Sequence, residues 1–236
     1  MMRGLLGAIS FLTVVKTHGS PPGESAAYFP LVGALLGLAG GGIFAGAARI
    51  LPVSLAALLT VAFWAAISGV LHEDGLADVA DAMRAGRTPE KMLAILKDSR
   101  IGTFGTVAVV LSVLARWQAL EHIAAPKIIA ACVAAQALAR SGMVAMAWVS
   151  RPAGTGLGMA LSASLSTPVA IAAIVQGVAA AFIGGARVGL VMLAGSYVVI
   201  RAARWYFYRR IGGVNGDCLG ATEQLLEIFA LLVFTV

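Results

Sequence analysis

The chain has 236 residues, 60% hydrophobic and 12% charged, with a mean hydropathy of +0.92. A water-soluble domain carries about 25% charged residues, so this composition excludes an ordinary soluble fold and predicts an all-α polytopic membrane protein. The net charge of +6 comes without any dense basic run, which excludes a nucleic-acid partner, and Cys132 and Cys218 show neither disulfide nor zinc spacing.

Residues 4–15 form a short apolar run behind Arg3. No small-residue cleavage site follows, so the run reads as a retained helix lying at or dipping into the membrane. Residues 16–27 are a polar loop rich in Pro and Gly, and a first clear span covers 28–51. Within it Gly33, Gly37 and Gly41 recur on one face, and Gly42 and Gly46 repeat the spacing. Small residues at that interval let helix backbones approach closely in lipid. Pro52 breaks the chain, and further spans are predicted over 53–71, 106–120, 127–149, 168–184 and 188–200. The last of these runs into the basic, aromatic stretch RAARWYFYRR, and a helix from residue 222 is short for a crossing. The expectation is six to seven transmembrane helices in a single integral membrane domain over 1–236, with the oligomeric state open and a homo-oligomer among the possibilities.

With alternating spans, one side of the bilayer collects twelve of the seventeen basic residues and the other four, Arg116 being counted with the loop nearest it. That bias predicts that the first side is cytoplasmic, in a cell (inner) membrane. The loops richest in glycine and charge, 72–105, 150–158 and 211–220, all open on that side, which predicts one shared site. Arg140 alone stays well inside a span, where a charge is costly and is either functional or paired structurally.

The stretch from His72 to Gly105 holds six of the eleven carboxylates. On a helix, Asp74, Asp78 and Asp81 fall at i, i+4 and i+7 and share one face, where like charges repel unless a cation lies between them. Hard oxygen ligands at that density suit Mg²⁺ or Mn²⁺, which also take substrate phosphate oxygens. Glu73 can reach the same ion from the first turn, and Gly75 leaves room for a ligand's close approach. A second helix is expected to start with Thr88 as N-cap and Pro89 at its first position. It leads to Lys97, Asp98, Ser99 and Arg100, with Gly102 and Gly105 leading back into the membrane. Carboxylates for a metal, cations for phosphate and glycines for backbone approach are the components of phosphoryl transfer. Arg151 precedes glycines at 154, 156 and 158 that can wrap a phosphate, and Asp217 lies in another glycine-rich turn, followed by Glu223 and Glu227. His72 reads equally as a cap, a hydrogen-bonding residue or a catalytic one.

The sequences HEDGLADVAD from His72, KDSRIGTFG from Lys97 and GGVNGDCLGA from Gly212, with FLT at Phe11 and YFPLVG at Tyr28, resemble the adenosylcobinamide-GDP ribazoletransferase (cobalamin 5'-phosphate synthase) family nearly end to end. The resemblance implies a membrane enzyme in which a hydroxyl of α-ribazole, or of its 5'-phosphate, attacks the cobinamide-side phosphorus of adenosylcobinamide-GDP. GMP leaves, and Mg²⁺ is required. It also implies that Glu73, Asp74, Asp78 and Asp81 hold metal and pyrophosphate. Asp78, Asp81, Lys97, Asp98 and Arg100 would carry the chemistry, and His72, Gly75, Ser99, Gly102, Arg140, Arg151, Gly156 and Asp217 would bind substrate. Three features depart from the family's pattern: Val-Val-Lys-Thr-His after Phe11-Leu-Thr, Ala82 after Asp81, and Asn215 before Gly-Asp.

Two alternatives are weaker. A CDP-alcohol phosphotransferase motif would need Ala-Arg where Asp78 and Val79 stand, and aspartates at Met92 and Leu96. A cation-coupled transporter would place its site near the bilayer midplane on broken helices, whereas these acids are expected in a loop at the membrane edge.

Overall fold

The fold is described from a computed structural model covering residues 2–98, 100–153 and 157–236, without the side chains of Leu157 and Met159. Ser99, Gly154 and Gly156 therefore lie outside the described residues. The helices are α1 (Met2–Leu12), α2 (Pro22–Ser25), α3 (Phe29–Ala47), α4 (Val53–Ser68), α5 (Leu71–Ala85) and α6 (Pro89–Ile95), followed by α7 (Thr103–His122), α8 (Ile128–Trp148), α9 (Leu157–Ser164), α10 (Thr167–Ala181), α11 (Ala186–Ile211) and α12 (Gly216–Val233). Among the described residues there is no strand, only an isolated bridge between Pro152 and Val214. The chain is an all-α polytopic membrane protein. Five segments are long and apolar enough to cross a bilayer: Pro22–Ala47, Thr103–His122, Ala125–Trp148, Thr167–Gly184 and Ala186–Ile211. α4 supplies a sixth apolar arm. The polar α5 leaves it at 87° and ends at the charged face of the molecule.

α8 is the axis of the bundle, buried along almost its whole length, with α3, α10 and α12 packed around it. Its composition explains this, because the run of Ala, Ser and Gly from Ala130 to Ala147 lets neighbouring backbones come close. Side chains facing outward, such as Leu35 and Leu38 on α3, Leu111 on α7 and Leu190 and Val198 on α11, are exposed and apolar, as a lipid-facing surface requires.

The glycine stripe of α3 divides in two. A Cβ at Gly33 or Gly37 would strike the backbone carbonyls of Gln136 or Cys132 on α8, and one at Gly41 would come within 3.0 Å of Ile129. Gly42 and Gly46 face open space. Close packing therefore explains the first three glycines and leaves the last two without a role.

Two boundaries differ from the sequence reading. α11 does not stop near residue 200 but continues to Ile211, because its aromatic-basic stretch stacks on itself: Arg204 lies 4.4 Å from the Tyr208 ring and Arg209 4.4 Å from that of Trp205. α12 begins at Gly216, six residues early, because the Asn215 side chain accepts a hydrogen bond from the Cys218 N–H and caps it. Cys218 consequently sits in a buried helical turn rather than a polar loop, and both cysteines are free.

Gly37→Leu should lower thermal stability in detergent, since overpacking costs about 1–3 kcal/mol. Gly42→Leu should change it by less than about 0.5 kcal/mol, and equal losses in the two would contradict the assigned α3–α8 contact.

Candidate active site

α5 is a helix with two chemically distinct faces. It starts where Gly69 (φ 62°) and Val70 (φ 53°) both take the left-handed conformation, which is unfavourable for a β-branched residue. That turn ends α4 and redirects the chain. His72 and Glu73 then point into the bundle, whereas Asp74 and Asp78 lie on the more open side.

The inward residues meet charges from three other helices. Glu73 Oε1 lies 2.9 Å from Arg116 NH2 of α7, and Arg116 NH1 lies 3.5 Å from Glu227 Oε1 of α12. His72 Nδ1 sits 3.1 Å from Glu223 Oε2, and Glu223 Oε1 sits 2.9 Å from Arg140 NH1 of α8. Arg140 also donates to Gln136 Oε1 at 2.5 Å, and Ser112 donates to Gln224 at 2.8 Å. All six ionisable groups are buried. Arg116 is 1% exposed, so it belongs to this network and not to the loop with which it was counted. Arg140 is held by Glu223 and Gln136, which is the structural role. Glu73 is turned away from the aspartates, so the structure does not gather it into their cluster. Glu223, Glu227 and Arg116 were the signal to follow here, since ionisable residues inside apolar helices demand partners.

The outward residues meet the loops. Asp81 accepts hydrogen bonds from the N–H groups of Gly102 (2.6 Å) and Gly105 (2.9 Å), closing the N-terminus of α7 from a distance of more than twenty residues. Its carboxylate is thus occupied with capping. Gly75 does not make room for a ligand: a Cβ there would lie 2.9 Å from the Asp217 carbonyl, so α12 fills the space. Gly158 packs in the same way on Gly216. Thr88 caps α6 as expected, accepting from the Lys91 N–H at 3.3 Å. Beyond it Asp98 pairs with Arg100 at 2.6 Å, and those hydrogen bonds hold its carboxyl down at about 2. Lys97 and Arg100 are exposed.

The three charged loops do converge. Val214 donates to the Arg151 carbonyl at 2.9 Å, Ala153 to the Val214 carbonyl at 2.7 Å, and Arg210 donates to the Met83 and Gly86 carbonyls at the end of α5. Arg151 itself projects outward, with its N–H bonded to the Tyr208 hydroxyl at 2.6 Å. Between the loops lies a cavity of about 290 Å³ lined by His72, Asp74, Leu96, Met143, Gly158, Asn215 and Asp217, among others. Asn215 donates to Asp217 at 2.7 Å, yet burial and the nearby Asp74 still raise the Asp217 carboxyl to about 6. Asp78, one turn beyond Asp74 on α5, is raised to about 7 by burial and then by Asp74, Asp217, Asp81 and Asp98. His72 Nε2 is buried without a partner in the cavity wall.

Among the described residues no three carboxylate, imidazole or thiolate groups converge on one point as placed. The donor set that remains is a pair of carboxylates on one helical face, Asp74 and Asp78, with Asp217 opposite. This fits Mg²⁺, which is typically held by one or two carboxylates and completes its shell with waters and substrate phosphate.

Fold and cavity together define a polytopic membrane protein with an acid-lined site among its helices, suited to a charged ligand. The chain belongs to the cobalamin-5-phosphate synthase family, whose profile matches residues 4–235. It is 41% identical to an adenosylcobinamide-GDP ribazoletransferase of Bradyrhizobium diazoefficiens, over 96% of this chain and 90% of that one. Enzymes of the same name from Vibrio parahaemolyticus (36% identical, 98% and 91% covered) and Ralstonia nicotianae (39%, 98% and 94%) are similar throughout. No solved structure matches.

Arg116→Met leaves Glu73 and Glu227 buried without a counter-charge and should cost about 3–5 kcal/mol of stability. Exposed Arg84→Met should stay within about 0.5 kcal/mol; comparing the two melting curves in detergent checks the pairing.

Proposed function

We propose that this protein joins adenosylcobinamide-GDP to α-ribazole or its 5'-phosphate, releasing GMP, in a Mg²⁺-dependent phosphoryl transfer. The observation that carries the reading is the meeting of the HEDGLADVAD helix with the Asn215–Asp217 turn around one acid-edged cavity, in a chain similar from end to end to enzymes of that name. Asp74 and Asp78 would hold the ion, with Asp217 opposite. When bound, Mg²⁺ would supply positive charge for the pyrophosphate oxygens as the phosphorus–oxygen bond to GMP breaks. The protein's own part is positioning. His72 Nε2 offers an acceptor to a substrate hydroxyl or N–H, and the cavity walls of Leu96, Met143 and Leu219 exclude water around it. The charged face, carrying most of the basic residues, would be cytoplasmic and the membrane the cell (inner) membrane.

Purified protein in nanodiscs, given both substrates and Mg²⁺, should release GMP. Asp78→Asn should lower the rate on the order of 10²-fold or more, and metal-independent release would contradict the reading. A pH dependence follows as well. A carboxyl raised to about 7 favours its protonated form in the fold, so as pH climbs from about 4 to about 7 that group loses stabilising influence and gains affinity for a cation. The rise in melting temperature caused by Mg²⁺ should therefore be larger at pH 8 than at pH 6, and Asp78→Asn should shrink the difference to the part that Asp217, raised to about 6, still contributes.

A further inference from the structure

α11 is the least buried of the five apolar spans, and its outer stripe changes chemistry along its length. Leu190, Ala194 and Tyr197 follow one another at helical spacing on the exposed surface. The same stripe continues through Arg201 and Trp205 to Tyr208 and Arg209. A lipid-facing surface thus runs, with no change of face, into cations and aromatic rings. By helical rise, Arg201 to Arg209 lie roughly 22–35 Å from the far end of α11 at Ala186. They bracket the edge of a hydrocarbon core about 30 Å thick, where long Arg side chains reach out of the apolar layer and Trp and Tyr settle at the headgroups.

An open cavity of about 280 Å³ lies at this end of the helix, lined by Arg201, Arg204, Trp205, Tyr208 and Arg209. α11 contains no carboxylate, and among the described residues none of these three arginines forms an ion pair. Two of them are ordered by their neighbours, Arg204 over the Tyr208 ring and Arg209 over that of Trp205. Stacking engages the face of a guanidinium and leaves its N–H groups, which lie in the plane, for an oxygen ligand. Arg204 gives its Nε to the Val149 carbonyl at 3.0 Å and keeps its terminal nitrogens. Arg210 turns the other way, to the Met83 and Gly86 carbonyls, and so clasps this end of α11 to α5. The three outward arginines share no lining residue with the acid cavity, so neither packing nor that cavity accounts for them.

We propose that this patch binds the headgroup of an anionic phospholipid. Arg201, Arg204 and Arg209 hold the phosphodiester, Trp205 lies against the glycerol, and the acyl chains run down the stripe of Tyr197 and Leu190. Cations clustered at the membrane surface attract anionic lipids, and the planar fork of arginine matches phosphate oxygens. Continuity with the lipid-facing stripe selects a lipid over a soluble anion, because only a lipid has chains to lay along it. The proposal goes beyond the reaction proposed above and does not depend on it.

The test titrates the full-length protein in detergent with phosphatidylglycerol or phosphatidylcholine of identical acyl chains and counts bound lipids by native mass spectrometry. The first phosphatidylglycerol should bind about tenfold or more tightly than the first phosphatidylcholine, as expected for several arginines at a membrane surface. Arg201→Gln/Arg209→Gln should bring the two lipids within about twofold of each other. Neither residue donates a hydrogen bond within the protein, so the double variant is expected to fold, and Arg209→Gln alone should already weaken phosphatidylglycerol about threefold. Arg84→Gln/Arg87→Gln removes the same charge from exposed positions elsewhere on that face and should leave the preference within about twofold of wild type. No preference in the wild type, or equal losses in the two double variants, would overturn the site. Displacement of phosphatidylglycerol by millimolar inorganic phosphate at constant ionic strength would mark a free-anion site and overturn the lipid assignment.

Discussion

The feature on which the rest of the site depends is the buried meeting of Glu73 with Arg116 and of His72 with Glu223 and Arg140. Isolated charges do not persist at membrane depth, and the partners here come from α7, α8 and α12. Because His72 and Glu73 are adjacent on the first turn of α5, satisfying them fixes both the rotation and the depth of that helix. The aspartates of the same helix then have no choice of direction. Asp74 reaches the cavity, with Asp78 one turn on from it, because Glu73 faces Arg116 and His72 faces Glu223.

This division of labour also explains the hinge. Two consecutive left-handed residues, one of them Val70, are an unfavourable way to join α4 to α5. The ion pairs and the Gly75–Asp217 backbone contact hold the bend in place. Asp81 at the other end of α5 contributes by capping α7 through Gly102 and Gly105. The acidic run is therefore not one uniform cluster: one of its carboxylates neutralises a buried arginine, one caps a helix, and Asp74 and Asp78 are claimed by neither task. The broken α4–α5 pair and the buried network resemble features expected of a transporter, and here they serve to aim the acid face.

Much of this was legible in the sequence. Hydropathy and Pro52 gave the spans, the glycine interval gave close packing on α3 though not its partner α8, Thr88-Pro89 gave α6, and the arrangement of polar loops on one side gave their convergence. What was not legible depends on distant pairing. Spacing along α5 places Asp74, Asp78 and Asp81 on one face, but nothing local says that Gly102 and Gly105 will claim Asp81, or that Arg116 will claim Glu73. Gly75 was read as room for ligand, and only the packing of α12 shows which group uses that room. The boundaries of α11 and α12 were misjudged because the stacking of Arg204 and Arg209 on Tyr208 and Trp205, and the cap from Asn215, outweigh the polarity of those stretches.

The central claim is that inward and outward carboxylates of one helix have different tasks. Binding of Mn²⁺, as a spectroscopically visible substitute for Mg²⁺, measured by electron paramagnetic resonance on folded variants tests it most directly. The account predicts that Asp74→Asn and Asp78→Asn weaken binding strongly while Glu73→Gln leaves it near the wild-type level. Loss of binding in Glu73→Gln with retention in Asp78→Asn would contradict it.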